Sequence, residues 1–304
     1  MENKKEKIIV TGGAGFIGSH IADELIRLGY EVHIIDNMSA GKKENINSKA
    51  IFHEVDIRDY DKLIPIFKNT TYVFHEAAMP QVQYSIENPI ETNEINVIGT
   101  LNVLEASRIN KIKRIIFASS SAIYGNQDIL PISETAKASP LSPYGAHKYI
   151  GEIYMKLYAE IYNIETVSLR YFNVYGVRQN SNGAYASVIS KFVEFKKNNQ
   201  PLIITGDGEQ TRDFVNVKDI VSVNILVMKN KNIGKGEVIN IGSGKQFSVN
   251  KIAELIGGSK NYISPRIEPK NTRADIVMVQ RLLNWKPRID LEQGLMELKK
   301  YSNI

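Results

Sequence analysis

Short apolar runs rich in β-branched residues alternate with amphipathic segments of helical period through the first half of the chain. The runs typical of strands are residues 7–11, 32–36, 51–55, 72–75, 115–119 and 166–169. The segments of helical period are residues 17–28, 60–67, 95–108 and 144–162. Because strand and helix alternate, the pattern predicts an α/β protein with a doubly wound parallel sheet.

The pattern is less regular beyond Tyr175, where residues 179–183 and 206–209 are rich in turn formers. Helical period returns at residues 186–197 and 217–228, and residues 238–241 are typical of another strand. In the tail, residues 263–304, short helical pieces are separated by Pro265, Pro269 and Pro287. These segments predict a smaller C-terminal lobe that follows the sheet domain.

Composition excludes several kinds of chemistry. The 304 residues include no cysteine, which excludes disulfides, thiolate metal sites and cysteine nucleophiles. No run of about 18 apolar residues occurs and the polar N-terminus lacks a signal-like segment, so we expect a soluble, cytoplasmic protein with no membrane partner. We expect no metal site, because ligand spacings are missing among His20, His33, His53, His75 and His147.

The charge pattern argues against a nucleic-acid partner. The net charge of +5 comes from 38 basic and 33 acidic residues that are spread along the chain. A nucleic-acid surface would gather lysine and arginine together with aromatic residues. We therefore interpret most of these charges as solvated surface.

A glycine-rich turn joins the first predicted strand to the first predicted helix. Residues 11–18 read Thr-Gly-Gly-Ala-Gly-Phe-Ile-Gly, in the strand–turn–helix context that the dinucleotide-binding fingerprint requires. Two registers coexist, because Gly15 and Gly18 combine with either Gly12 or Gly13. In both, the missing side chains let backbone N–H groups and the helix N-terminus approach a pyrophosphate.

An acidic residue ends the second predicted strand. Asp36 follows Gly18 by 18 residues, close to the spacing of a carboxylate that accepts hydrogen bonds from an adenosine ribose. Because that carboxylate would repel a 2′-phosphate, the sequence favours NAD over NADP. The alternative is a tight strand–helix junction followed by an ordinary surface aspartate.

A tyrosine and a lysine lie four residues apart at the start of a predicted helix that Ser142 can cap and Pro143 can open. This spacing puts Tyr144 and Lys148 on one helix face. An ammonium beside the phenol stabilises phenolate, so the tyrosine could act as a base below its ordinary pKa of about 10. Taken alone, such a pair is more often surface packing.

Three serines at the end of the strand at residues 115–119 favour a catalytic role of the Tyr144–Lys148 pair over surface packing. Ser119, Ser120 and Ser121 stand where a parallel strand ends, the side on which doubly wound sheets bind ligands. Their hydroxyls can orient a substrate hydroxyl. The alternative is a polar turn, since serine is frequent in turns.

Together these motifs resemble the extended short-chain dehydrogenase/reductases, and among them the nucleotide-sugar epimerases and dehydratases, closest to the UDP-glucose and UDP-N-acetylglucosamine 4-epimerases. The resemblance covers nearly the whole chain. Its further marks are residues 36–39, Asp56 with Ile57, residues 75–78, Asn96 and residues 170–176.

The resemblance implies two domains and a set of cofactor contacts. Residues 1–175, with 214–241 returning to them, would form an NAD-binding Rossmann domain, and residues 176–213 and 242–304 a nucleotide-sugar-binding lobe. The implied NAD contacts are Gly12, Gly15, Phe16, Ile17, Gly18, Asp36, Asn37, Ser39, Asp56, Ile57, Ala77, Ala78, Asn96, Ser119, Tyr144, Lys148 and Tyr171.

The resemblance also implies catalytic and substrate residues. Ser120, Tyr144 and Lys148 would be catalytic, with Ser121 as an alternative partner of the tyrosine or a substrate contact. The implied contacts to a UDP-sugar are Asn173, Ala186, Val188, Arg212, Arg266 and Glu268. Around Arg266 and Glu268, the Arg-Pro-Gly-acid turn that is usual in the family is replaced.

Epimerisation at C4 is the reaction that the resemblance favours. The family's dehydratases carry an Asp-Glu pair just after the catalytic hydroxyl, where this chain has Ser121 and Ala122. Without those acids the elimination of water lacks its acid and base. The remaining alternatives are a UDP-uronate 4-epimerase or decarboxylase, and a catalytically silent NAD-binding module.

Two finer expectations also follow from the resemblance. A small residue such as Thr272 would leave room for a 2-acetamido group on the sugar. The predicted helices at residues 95–108 and 144–162 would pair across a two-fold axis in a homodimer, as a four-helix bundle.

Overall fold

A seven-stranded sheet is the largest element of this computed structural model, which describes residues 5–180, 187–265 and 269–304. The strands are β1 (Lys7–Thr11), β2 (Glu31–Asp36), β3 (Ile51–Glu54), β4 (Thr70–His75), β5 (Arg114–Ser120), β6 (Glu165–Tyr171), β7 (Val174–Tyr175), β8 (Leu202–Thr205), β9 (Thr211–Arg212), β10 (Val215–Asn216), β11 (Lys235–Ile241), β12 (Phe247–Ser248) and β13 (Lys260–Ile263). The helices are α1 (Phe16–Arg27), α2 (Tyr60–Phe67), α3 (Val82–Glu87), α4 (Pro89–Asn93), α5 (Gly99–Ile109), α6 (Pro143–Tyr162), α7 (Val188–Lys197), α8 (Val217–Lys229), α9 (Val249–Ile256), α10 (Val277–Leu283) and α11 (Leu291–Ser302).

The strand order of the sheet is β11-β6-β5-β4-β1-β2-β3. Strands β3, β2, β1, β4 and β5 pair in parallel, with Thr11 of β1 opposite Ile35 and His75. Strand β1 is buried from Ile8 to Thr11, as expected for a central strand that is covered on both faces. The predicted doubly wound parallel sheet is confirmed.

Some elements differ from the sequence prediction. The helix predicted at residues 95–108 is a π-helical turn, Glu94–Ile98, that continues into α5. The sequence pattern did not indicate α3 and α4, since helices of six and five residues are too short for a clear period. It also did not indicate the parallel pair of β8 and β13, whose partners are far apart in sequence.

The first of two structural units comprises residues 5–120, 142–170 and 221–239. Its core is built from both layers of the α/β pattern: strand residues such as Val73 and Phe117 pack with helix residues such as Leu63, Leu104 and Met155. All five side chains are at most 1% exposed, so their apolar periodicity is explained by burial against the sheet.

The second unit comprises the described residues of 121–141, 171–220 and 240–304. Its main core joins α7, α9 and α11 through Phe192, Ile252 and Leu295. A smaller cluster contains Tyr124 and Ile132 together with residues from distant parts of the same unit, Phe172 and Ala274.

The boundary between the units differs from the predicted one at residues 121–141, 171–175, 214–220 and 240–241. All four segments were predicted to belong to the Rossmann domain and cluster with the second unit. For residues 121–141, side-chain contacts of Asn240 in the second unit explain the difference. The Asn240 amide donates to the Ile132 carbonyl at 2.9 Å and accepts from the Tyr124 hydroxyl at 2.7 Å. Which unit binds NAD and which binds the sugar nucleotide stays a prediction.

Among the described helices, none combines the length and the apolar content needed to cross a bilayer.

Candidate active site

Glycines let the turn after β1 fold back tightly on itself. Gly12 has a φ of +70°, and a Cβ there would lie 2.7 Å from the Ala77 amide nitrogen. A Cβ at Gly18 would lie 2.3 Å from the Gly12 carbonyl oxygen, whereas one at Gly13 would meet the Ile34 side chain. The tight turn therefore depends on Gly12 and Gly18, which belong to the register Gly12-Gly15-Gly18.

The helix that follows the turn begins with open backbone donors. Gly15 is the N-cap residue of α1, no side chain caps it, and the first turn contains no acidic residue. Phe16 and Ile17 are the first helical residues. Unsatisfied N–H groups at a helix N-terminus attract an anion, so this end of α1 fits the pyrophosphate of a dinucleotide.

The Asp36 carboxylate, at the end of β2, is hydrogen-bonded to the glycine turn. Its two oxygens accept from the Ala14 amide at 3.0 Å and from the Met38 amide at 2.9 Å. Burial raises the pKa of Asp36, and the two backbone hydrogen bonds oppose that shift. Each oxygen keeps lone-pair capacity for a further donor, which is compatible with the predicted ribose contact.

A polar network continues from Asp36 along the same edge. The Asn37 side chain donates to Asp56 at 2.8 Å and accepts from the Ser39 hydroxyl at 2.7 Å. Arg58 binds Asp56 through two side-chain nitrogens and, with Asn37, lowers the pKa of Asp56 to about 2. The adjacent Ile57 is 5% exposed and packs against Gly99, so the polar side chains of this segment come from Asp56 and Arg58.

His75 links β1, β4 and α5 through a chain of hydrogen bonds. Thr100 donates to the Asn96 carbonyl at 2.7 Å, so its oxygen accepts from His75 Nε2 at 2.9 Å. His75 Nδ1 must then accept from Thr11 Oγ1, at 2.8 Å, and Thr11 Oγ1 in turn accepts from the Ala77 amide. The chain fixes a neutral tautomer, and burial lowers the pKa of His75 to about 3.

This buried histidine should make the fold sensitive to acid. The unfolded histidine has a pKa of 6.5, so stability should fall as the pH drops from there towards about 3. Between pH 7 and pH 5 we expect a loss of about 2 kcal/mol from His75. Urea unfolding at both pH values measures it, and the pH dependence should be smaller by that amount in His75→Gln. An equal pH dependence in both proteins would contradict this account.

Asn96 holds the loop that follows β4. Its side chain accepts from the Met79 amide at 2.7 Å and donates to the Met79 carbonyl at 3.0 Å. Asn96 lies in the π-helical turn before α5, and such turns are frequent at functional sites. The loop that it anchors contains Ala77 and Ala78, two of the predicted cofactor contacts.

The end of β5 faces the first turns of α6. Pro143 is the first residue of the helix, and the Ser142 hydroxyl accepts from the Gly145 amide at 3.2 Å. The Ser120 hydroxyl hydrogen-bonds the Tyr144 phenol. Lys148 Nζ donates to the Ala118 carbonyl at 2.7 Å and lies 6.0 Å from the Tyr144 ring centre. The three predicted catalytic residues therefore meet in one place.

Electrostatics around this group act on both protonatable side chains. Burial lowers the pKa of Lys148 to about 8, and the charges of Glu76 and Glu152 oppose that shift. Burial also raises the pKa of Tyr144, against the hydrogen bond from Ser120. A lysine beside a tyrosine was expected to lower the tyrosine pKa, whereas burial and the charge of Glu76 raise it here.

Sequence reasoning missed a buried ion pair next to these residues. Glu152, one turn beyond Lys148, accepts from Arg170 Nε at 2.8 Å and from the Ser119 hydroxyl at 2.5 Å. Both charged side chains are at most 6% exposed. The four-residue spacing of Tyr144, Lys148 and Glu152 is a sequence signal that could have indicated Glu152.

Ser85 is a second missed residue. It is fully buried at α3, and its hydroxyl accepts from the Tyr144 amide at 3.0 Å while donating to the Val82 carbonyl. It thereby fixes the N-terminus of α6 from a helix that the sequence pattern did not indicate.

Predicted substrate residues lie in the second unit. The Asn173 amide donates to the Asp213 carbonyl at 2.9 Å, next to Arg212, whose guanidinium donates to the carbonyls of Thr211 and Lys270. Ser121 begins a 3-10 turn, and Val188 begins α7. The Asn173 side chain thus contacts the residue that follows Arg212 in the chain, and their joint contact to one ligand stays a prediction.

Three further predicted contacts fall outside the described residues: Ala186, Arg266 and Glu268. Tyr171, a predicted NAD contact, is 7% exposed at the end of β6 and clusters with the second unit.

Fold and site together indicate a dinucleotide-dependent enzyme in which Ser120, Tyr144 and Lys148 lie next to one another. A model of the NAD dependent epimerase/dehydratase family matches residues 8–242. A Methanocaldococcus jannaschii protein, provisionally named a UDP-glucose 4-epimerase, is 46% identical over 296 residues, 95% of each chain. The UDP-glucose 4-epimerase of Thermotoga maritima, solved with UDP-glucose, is 40% identical over 98% of each chain with a TM-score of 0.94. The UDP-N-acetylglucosamine 4-epimerase of Methanobrevibacter ruminantium, solved with UDP-N-acetylmuramic acid, is 39% identical over 98% of each chain with a TM-score of 0.92.

This chain therefore belongs to the NAD dependent epimerase/dehydratase family, within the extended short-chain dehydrogenase/reductases. Its cofactor is NAD, which agrees with the open N-terminus of α1 and with the Asp36 carboxylate.

Proposed function

We propose that this chain is a UDP-sugar 4-epimerase that interconverts UDP-glucose and UDP-galactose, and the matching N-acetylhexosamines, through a transient 4-keto sugar. The observation that carries the proposal is the grouping of Ser120, Tyr144 and Lys148 at the end of β5. Membership of the family and the similarity to two 4-epimerases support the choice of reaction.

In the proposed mechanism, Tyr144 takes the proton from the sugar 4′-hydroxyl and later returns it. Ser120 hydrogen-bonds the phenol and orients it, and Lys148, held at the Ala118 carbonyl, supplies a positive charge that stabilises phenolate. When bound, NAD supplies the group that accepts a hydride from C4 and returns it to the opposite face. The protein contributes position and charge.

The cofactor contacts remain part of the proposal. Gly12, Gly15, Gly18 and the first residues of α1 would hold the pyrophosphate, and Asp36 the adenosine ribose. The remaining proposed contacts are Asn37, Ser39, Asp56, Ile57, Ala77, Ala78, Asn96, Ser119, Lys148 and Tyr171.

For the substrate, we propose that Arg212 binds the diphosphate, because a guanidinium fork suits bidentate recognition of phosphate. Asn173, Ser121 and Val188 would complete the contacts in the described residues. Thr272 supports the inclusion of N-acetyl sugars, since it is small and 8% exposed, and its hydroxyl has no partner among the described residues.

Separate incubations with UDP-glucose, UDP-N-acetylglucosamine and UDP-glucuronate test the proposal, with product configuration read by NMR. We expect mixtures of C4 epimers from the first two and no decarboxylation of the third. If UDP-glucose is converted and UDP-N-acetylglucosamine is not, the proposal that N-acetyl sugars are substrates is refuted. Conversion of UDP-glucuronate alone would reassign the reaction, and no conversion of any sugar would indicate a silent module.

We also propose that the chain forms a homodimer through α5 and α6. Four apolar side chains spaced four apart on α6 are 39–64% exposed: Tyr149, Ile153, Leu157 and Ile161. Such a stripe matches the apolar face of a helix that packs on another helix. Two copies of the α5–α6 pair would complete a four-helix bundle.

The double variant Ile153→Glu with Leu157→Glu should therefore convert the dimer to a monomer, because four buried carboxylates would face each other across the two-fold axis. Light scattering during gel filtration measures the mass. Met296→Glu is the matched control, since Met296 is 71% exposed on α11. A wild-type protein that is already monomeric would refute the dimer.

A further inference from the structure

The Glu152 carboxylate is buried and fully engaged one helical turn beyond Lys148. Arg170 binds both of its oxygens, through Nε at 2.8 Å and Nη2 at 2.6 Å, in a bidentate fork. The Ser119 hydroxyl donates to Oε1 at 2.5 Å. Glu152 is 3% exposed, so this charge is retained at the cost of its desolvation.

Consecutive residues of β5 contact three side chains of α6 that are spaced four residues apart. Phe117 lies 4.8 Å from Lys148 Nζ, and the Ala118 carbonyl accepts from it. Ser119 binds Glu152, and Ser120 binds the Tyr144 phenol. Along β5 the contact between Ser119 and Glu152 therefore lies between the two contacts that place the catalytic side chains, and along α6 Glu152 is one turn beyond Lys148.

The charge of Glu152 also acts on the lysine. Burial disfavours the ammonium form of Lys148, and the charges of Glu76, which has the larger effect, and of Glu152 favour it. Glu76 is partly exposed in the loop after β4, and Glu152 is buried and accepts three hydrogen bonds. The other titratable groups around this site are Tyr144, His75, His147 and Arg170.

We propose that Glu152 is a positioning residue which, clamped by Arg170 and Ser119, keeps the Lys148 side chain cationic and in place beside Tyr144. This inference rests on the proposed function for its kinetic consequence. Its electrostatic consequence, the protonation state of Lys148, does not depend on which sugar is converted.

The test compares Glu152→Gln, which removes the charge, with Glu152→Asp, which keeps it. In Glu152→Gln the alkaline limb of kcat/KM against pH should move to lower pH by about one unit, because an opposite charge near a lysine shifts its titration by that order. In Glu152→Asp the limb should stay near its wild-type position, whatever the rate. A role in folding alone would instead lower kcat/KM by the same factor at every pH.

Two additions keep the test decisive. If Glu152→Gln does not fold, the double variant Glu152→Gln with Arg170→Met removes both charges and leaves no unpaired buried ion.

The titration of Lys148 can also be measured without substrate, by NMR of protein with 13Cε-labelled lysine. The Lys148 signal is the one that is absent in Lys148→Met. If wild-type protein converts no UDP-sugar, the proposed function fails while this titration still decides the inference. An unchanged Lys148 titration in Glu152→Gln would overturn it.

Discussion

Tyr144→Phe should lower the rate of UDP-sugar conversion by about 10³-fold, the typical contribution of a positioned general base. The phenol oxygen is the only atom removed, and it is the atom that the Ser120 hydroxyl hydrogen-bonds. The ring and the α6 backbone, which the Ser85 hydroxyl anchors at the Tyr144 amide, should stay in place. Binding of NAD should therefore be retained while conversion collapses.

Measurement of both quantities separates this proposal from a binding role. Bound NAD is measured after extraction from the purified variant, and conversion by product analysis. Tyr162→Phe is the matched control, because it makes the same change at an exposed position of the same helix that lies outside the proposed dimer stripe. A Tyr144→Phe protein with more than a tenth of the wild-type rate would show that another group moves the proton.

The sequence identified the parts of this site that are local. The i,i+4 spacing of Tyr144 and Lys148 predicts one helix face, and the Ser142 cap and Pro143 at the first helical position are both found. The glycine turn is equally local, because three missing side chains within seven residues determine its path. Periodicity of buried residues likewise sufficed for the parallel sheet.

The parts that sequence could not supply depend on residues far apart in the chain. His75 reaches Thr100, and Glu152 reaches Ser119, which lies 33 residues earlier. Which unit residues 121–141 join depends on Asn240, since one buried amide fixes both Tyr124 and Ile132. The direction of the Tyr144 pKa also needed the structure, because burial and the charge of Glu76 raise it against the hydrogen bond from Ser120.

The glycine turn leads to the second large effect, since Gly18→Ala should weaken NAD binding by about 100-fold. The new Cβ would lie 2.3 Å from the Gly12 carbonyl oxygen, so the turn and the start of α1 must separate by about 1 Å. A displacement of about 1 Å can cost about two orders of magnitude in rate at a site that depends on position, and we expect a loss of affinity of the same order here. The N–H groups at the start of α1 would then no longer face the pyrophosphate in the required arrangement.

Calorimetric titration of NAD-free protein measures this loss, with circular dichroism to establish that the sheet is intact. Gly13→Ala is the informative comparison, because its Cβ would meet the Ile34 side chain in the sheet and not the turn. We expect Gly13→Ala to lower thermal stability more than NAD affinity, and Gly18→Ala to do the reverse. Equal losses of affinity in both would mean that the turn does not depend on the register Gly12-Gly15-Gly18, and the assignment of the pyrophosphate site to that register would be wrong.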